Sequence, residues 1–356
     1  MTKNDLFFPI RYEKSRPFVE KLIALCGAKT HKEIFNDNFQ MTIQNVIFDE
    51  MVATERKFPA RIPITEENFN LKLSRELNFF WFYYKWRNGG RNIFHFTKEL
   101  LELFEHTTVN EVPLDIIEFP FKSFFISFAD LDRQFAIDTA GNDYFLDGIF
   151  IIKNFAKENQ IDMFFTGLTK NSTLSKDWLW GKYASLAGDW YRINYTKENN
   201  TLKTTPFIPK FLPKTSSKEA IEATQMFFNN MGNIVFNALC YLSSKQEIPK
   251  TEFPTDTPQH LIDKLKTSKT KHQKEIAQAE LKRKGYTKVN FVGQSYVHSK
   301  VSTSDTGKSV ATHWRRGFWR NQAHGQERKE HTLKWIKPTI VNKGKGDSDT
   351  GRIYEV

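Results

Sequence analysis

The chain has 356 residues, a formal net charge of +11 and 33 phenylalanines within a hydrophobic content of 39%, enough to bury a substantial core in two domains or in one with an appendage. Its two cysteines, Cys26 and Cys240, exclude a disulfide framework and a cysteine-rich metal site, and they fit a reducing compartment. The opening MTKNDLFFPIRYEKSRP lacks the pattern of a signal peptide, and no window of about eighteen apolar residues reads as a membrane span, so the expectation is cytoplasmic, with no membrane partner.

Taken in chain order, residues 16 to 36 place Phe18, Leu22, Leu25 and Cys26 at helical spacing and break at Gly27. EENFNLKLSRELNFFWFYYKW, residues 66 to 86, is a helix whose end is apolar nearly all round, which marks it as buried. A turn at RNGGR, residues 87 to 91, precedes a second amphipathic helix, IFHFTKELLELFEH, ending near His106. Between Ile116 and Tyr195 the period changes to short β-branched and aromatic runs, IIEFPFKSFFISFAD, YFLDGIFIIKNF, IDMFFTGL and GDWYRINYT, which predict four strands of a largely antiparallel sheet. Pro206, Pro209 and Pro213 mark a linker, and Ser216 with Glu219 forms a capping-box signature opening a long helix that closes before Pro249. Residues 259 to about 284 are polar and partly helical. Three strand-like runs follow: KVNFVGQSYVHS, ATHWRRGFWRN and HTLKWIKPTIV. The expected architecture is α+β, with a helix-and-antiparallel-sheet main body over residues 1–258, an exposed connector over 259–286 and a small basic β-rich region over 287–356.

Charge is the clearest asymmetry. From His260 onward there are 21 Lys and Arg against 9 Asp and Glu, while the rest of the chain holds 31 against 32. Such a distribution points to an anionic partner for the last quarter of the chain. The densest part, HWRRGFWRNQAHGQERKEHTLKWIKP, interleaves guanidinium groups with indoles. Read as a single strand, it sends Trp314, Arg316, Phe318 and Arg320 one way and His313, Arg315, Gly317 and Trp319 the other, mixing cations and rings on both faces. Guanidinium forks match phosphates and aromatic faces stack bases, the chemistry of single-stranded nucleic-acid binding. The same forks grip carboxylates of a peptide or protein partner, and Arg–Trp packing within the fold gives the same composition with no ligand.

Catalytic readings are weaker. His313, His324 and His331 lie near arginines but match no acid–base or metal-ligand spacing. Asp130, Asp132, Asp138, Asp143 and Asp147 are expected in turns rather than as a metal-holding set. DTGKS, residues 305 to 309, lacks the upstream glycine of a phosphate loop, since position 302 is Ser. No catalytic residue, metal or cofactor is therefore assigned.

His313, Arg315, Arg316, Gly317 and Trp319, then Gly325, then Lys334-Trp335-Ile336-Lys337-Pro338 and Val341-Asn342, resemble a family of anti-CRISPR proteins of phages and mobile elements that act against the type V-A effector nuclease. Trp86-Arg87 is a fainter echo. The resemblance implies a protein of the bacterial host cytoplasm that recognises the effector's nascent N-terminal region and promotes loss of its messenger RNA, with RNA or the translating ribosome as a further partner. It draws attention to His313, Trp314, Arg315, Arg316, Trp319, Arg320, Lys334 and Trp335 as partner-binding residues, and to Trp86 and Arg87 as additional candidates. Phe318 departs from the family pattern, which tends to carry a second histidine there. The alternatives are a mobile-element RNA- or DNA-binding protein without a CRISPR target and a ribonuclease.

Overall fold

The structure, a computed structural model, describes residues 7–16, 18–27, 29, 31–34, 36–57, 66–109, 112–113, 116–128, 134–137, 143–153, 160–169, 187–194, 218–253, 257–284, 286–296, 303–304 and 313–341. The chain forms two compact units, each assembled from three separated stretches. The first comprises Met1–Phe94, Phe121–Asn194 and Thr251–Asn290; the second comprises His95–Pro120, Tyr195–Lys250 and Phe291–Val356. The boundaries expected at 258 and 286 are, by contrast, contiguous cuts. Among the described residues no helix is long and apolar enough to cross a membrane.

The first unit opens with five helices, α1 (Phe8–Ser15), α2 (Phe18–Gly27), α3 (His31–Ile34), α4 (Asp37–Lys57) and α5 (Glu66–Asn88). Strand β1 (Ile93–Phe96) follows, and then, after a stretch in the second unit, β3 (Ser123–Ser127), β4 (Gln134–Ile137), β5 (Asp143–Lys153), β6 (Gln160–Thr169) and β7 (Ala187–Asn194). Strands β3 to β7 are antiparallel wherever they pair, as the alternating apolar runs predict. The sheet continues past β3 through β1, β9 (Val289–Val292) and β8 (Lys250–Glu252).

Helix α5 explains why its sequence is apolar all round. Phe79, Phe80, Trp81, Phe82, Tyr83, Tyr84 and Trp86 are all buried. Phe79 and Phe82 meet Phe164 of β6 at ring-centroid distances of 5.0 and 4.9 Å, and Trp86 meets Phe150 of β5 at 6.3 Å. Phe8 of α1 contacts both Phe79 and Phe150. Each such pair adds about 0.5–1.5 kcal/mol beyond the area it buries. Among the described residues of this unit are two buried ion pairs. Arg16 grips Glu76 through two bonds of 3.0 and 2.6 Å, and Arg11 pairs with Asp147, whose other carboxylate oxygen accepts the Phe8 amide at 3.1 Å.

Several local expectations are corrected. IFHF is the strand β1 and not the start of a helix; helix α6 (Lys98–Glu105) begins only after Thr97. Asp147 lies inside β5, buried against Arg11, and is not a turn residue; Asp143 begins the same strand, while Asp130, Asp132 and Asp138 fall outside the described residues. Ser216 and the proline-rich stretch 206–213 also fall outside them, although the long helix expected there is present as α7 (Lys218–Ser244). Residues 259–284 hold two helices, α8 (Gln259–Thr267) and α9 (Lys271–Arg283), the latter opened by a capping box of Thr270 and Gln273. The strand-like run at 311–321 is two strands, β11 (His313–Arg315) and β12 (Gly317–His324), in different sheets. Likewise 331–341 divides at Lys337-Pro338 into β13 (Glu330–Ile336) and β14 (Thr339–Val341).

Candidate functional site

The second unit builds a platform beneath the basic aromatic strip. Helix α6 buries Leu100, Leu101, Leu103 and Phe104, and β2 (Thr107–Thr108) follows directly. Strand β12 pairs in parallel with β2 and antiparallel with β13, while β11 pairs with β14 and β10 (Thr303–Ser304) lies on the other side of β14. Register places Trp319 directly opposite Trp335, Arg320 opposite Lys334 and Phe318 opposite Ile336.

Both cross-strand tryptophans point into the unit. Trp319 and Trp335 are each 5% exposed and stack on one another with centroids 5.8 Å apart and planes 16° apart. Their N–H groups are satisfied internally. Trp319 Nε1 donates to Asn237 Oδ1 at 2.7 Å, and Trp335 Nε1 donates to Thr107 Oγ1 at 3.3 Å. Asn237, fully buried on α7, also donates from Nδ2 to the carbonyls of Thr107, Asn233 and Phe104 at 3.0, 2.9 and 3.3 Å. One amide thus joins helix α6, strand β2, helix α7 and the hairpin. Phe104, Tyr241 and Tyr296 complete the surround of Trp335 at 5.4, 5.8 and 6.1 Å. Burial pushes the Tyr241 phenol well above its ordinary pKa, so it stays neutral and donates to Glu247 Oε2 at 2.9 Å.

Gly317 is fixed by close approach. A Cβ there would stand 2.7 Å from Pro338 Cδ and from Thr107 Oγ1, and 2.8 Å from the Ile336 carbonyl; its amide donates to His106 O at 2.8 Å. Any side chain would force β12 off β2. Beside it Trp314, half-buried, stacks on His106 at 4.3 Å with planes 12° apart.

The cations go the other way. Arg315, Arg316, Arg320 and Lys334 are exposed. On the outer face of the hairpin, Phe318, Arg320, Gln322 and His324 of β12 stand opposite Ile336, Lys334, Thr332 and Glu330 of β13. Phe318 is 40% exposed, with the Arg320 guanidinium 5.9 Å from its ring centroid. In this stretch His324 Nδ1 lies 3.4 Å from Glu330 Oε2 and Lys329 pairs with Glu327; among the described residues no carboxylate pairs with Arg315, Arg316, Arg320 or Lys334. Like charges directly opposite on a strand pair are destabilising, so the Arg320–Lys334 rung is a place where an anion is welcome.

The single-strand reading, with cations and rings on both faces, is therefore replaced by segregation: Trp319 and Trp335 inside, Arg320, Lys334 and Phe318 outside. Trp319 and Trp335 cannot offer their rings to a partner and act by holding the hairpin. His313 lies in β11 opposite Val341, and its description is limited to the backbone. Trp86 and Arg87 belong to helix α5 of the first unit. Trp86 is fully buried and donates to the Asn92 carbonyl at 2.8 Å, while Arg87 donates to Glu13 at 2.6 Å and to Tyr83 at 3.1 Å. Asn237 was missed by sequence reasoning; its only signal was an asparagine on the apolar face of a long helix. Among the described residues no group of three or more His, Cys, Asp and Glu is placed to hold a metal ion.

The molecule is thus an α+β protein whose second unit carries a one-faced cationic hairpin on a tryptophan platform. A model of the AcrVA2-like, anti-CRISPR type V subtype A2 family matches residues 94–343, well over half of the chain, and the protein belongs to that family. The match takes in α6, β2 and the whole hairpin; helices α1 to α5 precede it. The crystal structure of AcrVA2 is similar at 13% identity, covering 94% of this chain and 97% of that one, with a TM-score of 0.38. No curated protein matches.

Proposed function

We propose that this type V-A anti-CRISPR protein acts in the host cytoplasm on expression of the effector nuclease, recognising its N-terminal segment during translation and promoting loss of its messenger RNA. Family membership supplies the target class. The observation that carries the finer reading is a set of four exposed cations without carboxylate partners among the described residues: Arg315 and Arg316 at the end of β11, and Arg320 and Lys334 on the hairpin held by buried tryptophans. Action at a messenger requires a surface for an anionic partner near the translating ribosome, and a rigid cationic face supplies one at low entropic cost. The peptide contact is sought outside the basic strip, among residues 1–259, where 31 Lys and Arg stand against 32 Asp and Glu.

The test is a reporter fused behind the effector's opening codons, compared with a frame-shifted leader of nearly the same RNA. Loss of message from the in-frame reporter alone supports the proposal. Equal loss from both shows that RNA and not peptide is read, and no loss from either removes the mechanism. Replacing Arg315 and Arg316 together by alanine is expected to abolish the in-frame effect; a folded double variant that still lowers the message fully refutes their role.

A further inference from the structure

We infer that the outer face of the β12–β13 hairpin is a docking surface for single-stranded RNA, with Phe318 as a stacking platform and Arg320 and Lys334 as phosphate contacts. The inference rests on the proposed function and deepens it by naming the surface and the chemistry of its partner.

Four rungs define the face. Phe318 with Ile336 gives an apolar, aromatic end; Arg320 with Lys334 gives a doubly cationic rung; Gln322 with Thr332 gives an amide and a hydroxyl; His324 with Glu330, 3.4 Å apart, closes it. Successive outward residues on one strand lie about 6.6 Å apart, so ring, cations and hydrogen-bonding groups follow one another along a narrow ribbon. Burial on the inner side sharpens the contrast. Trp319, Leu333 and Trp335 are inside the unit, so Phe318 is the large ring of these two strands left 40% exposed.

An exposed ring costs free energy in water, and the Arg320 guanidinium at 5.9 Å only partly covers it. A partner that presents a flat π-face and a phosphate close together satisfies the ring and the like-charged rung at once. An unpaired base with its backbone has that shape; a duplex does not, because its bases are already stacked on one another. An acidic peptide would satisfy the cations but leaves the ring unexplained. Charge agrees. Residues 313–341 contain Arg315, Arg316, Arg320, Arg328, Lys329, Lys334 and Lys337 against Glu327 and Glu330, and both glutamates already have partners.

The experiment measures binding of the full chain to a fluorescein-labelled 12-nucleotide oligouridine RNA by anisotropy, from about 50 to 300 mM KCl. Wild-type protein should bind, and unlabelled duplex RNA of the same length should compete at least tenfold less well. Phe318→Ala should weaken binding about tenfold, with Phe318→Tyr restoring it, since stacking needs only the ring. Arg320→Gln with Lys334→Gln should flatten the slope of log K against log salt by about 1.4, two phosphates at roughly 0.7 each for a single strand. Far-ultraviolet circular dichroism and melting curves check that the variants fold; if one does not, the wild-type competition between single strand, duplex and an oligoglutamate peptide decides alone. No binding by wild type at the lowest salt overturns the inference. So does binding indifferent to Phe318 and to the cationic pair, or displacement by oligoglutamate as easily as by RNA. The reporter test separates the two readings: an intact in-frame effect without oligouridine binding sinks this inference only, whereas oligouridine binding without a reporter effect sinks the nascent-peptide mechanism only.

Discussion

Two aromatic-rich regions of this protein use the same residue types in opposite ways. In α5 the run from Phe79 to Tyr84 disappears into the core together with Trp86, and the neighbouring charges are internal pairs: Arg16 with Glu76, Arg11 with Asp147, and Arg87 and Arg91 with Glu13. In the hairpin of β12 and β13 the alternation of a strand sorts the residues, so that Trp319 and Trp335 pack inward while Arg320, Lys334 and Phe318 face outward without a carboxylate among the described residues. Composition alone cannot tell these cases apart. The discriminating variable is the counter-charge: in the first unit the fold supplies it, while for the hairpin's Arg320 and Lys334 no carboxylate among the described residues does.

That comparison is broken most severely by removing one half of a buried pair. Asp147→Asn removes the carboxylate charge that pairs with buried Arg11 and is expected to cost about 3–5 kcal/mol, read as a fall in denaturation midpoint. A change below about 1 kcal/mol would mean that the pair is hydrated and not structural. Next in size is Gly317→Ala, where the added methyl meets Pro338 and Thr107 at 2.7 Å; about 1–3 kcal/mol is expected from displacing β12. Trp319→Phe keeps a ring but strands Asn237 Oδ1, for about 1–3 kcal/mol, and an unchanged melting curve would remove the platform role. At the small end, Arg320→Gln should move the melting temperature by less than about 2 °C, because its side chain is outward and the charge it leaves behind is a like charge. A similar null result is expected for thiol chemistry. Burial pushes the Cys26 thiol up to about 11 and that of Cys240 higher still, so both stay protonated at pH 8 and should alkylate only on unfolding; rapid labelling of native protein would contradict their burial.

Much of the fold was legible, and the misses have local causes. The α+β class, the antiparallel strands and helices α2, α5 and α7 followed from period and punctuation. IFHF was absorbed into the helix behind it because Phe94 and Phe96 continue the apolar spacing of Leu100, Leu101 and Phe104; pairing within the sheet overrides that local preference. Helix α4 went unread although Phe39, Ile43, Ile47 and Met51 recur every four residues. At the site, the basic aromatic strip was visible as composition, but its two faces were not, because the break at Arg316 resets which side chains point inward. Asn237 was out of reach for a different reason. Its partner Trp319 lies 82 residues further along the chain, and no local pattern records such a pairing.

Asn237 has one more consequence. Since side chains alternate strictly along a strand, a slip of β12 by one residue would swap Trp319 for Phe318 or Arg320 and present the amide with a group unable to complete its bonding, or with a buried cation. The amide is therefore a key that admits one alignment of the hairpin, and it reads that alignment from a helix elsewhere in the unit. With alignment settled from behind, the outward rungs carry no responsibility for folding. Their side chains can therefore be exchanged while the plate beneath stays fixed.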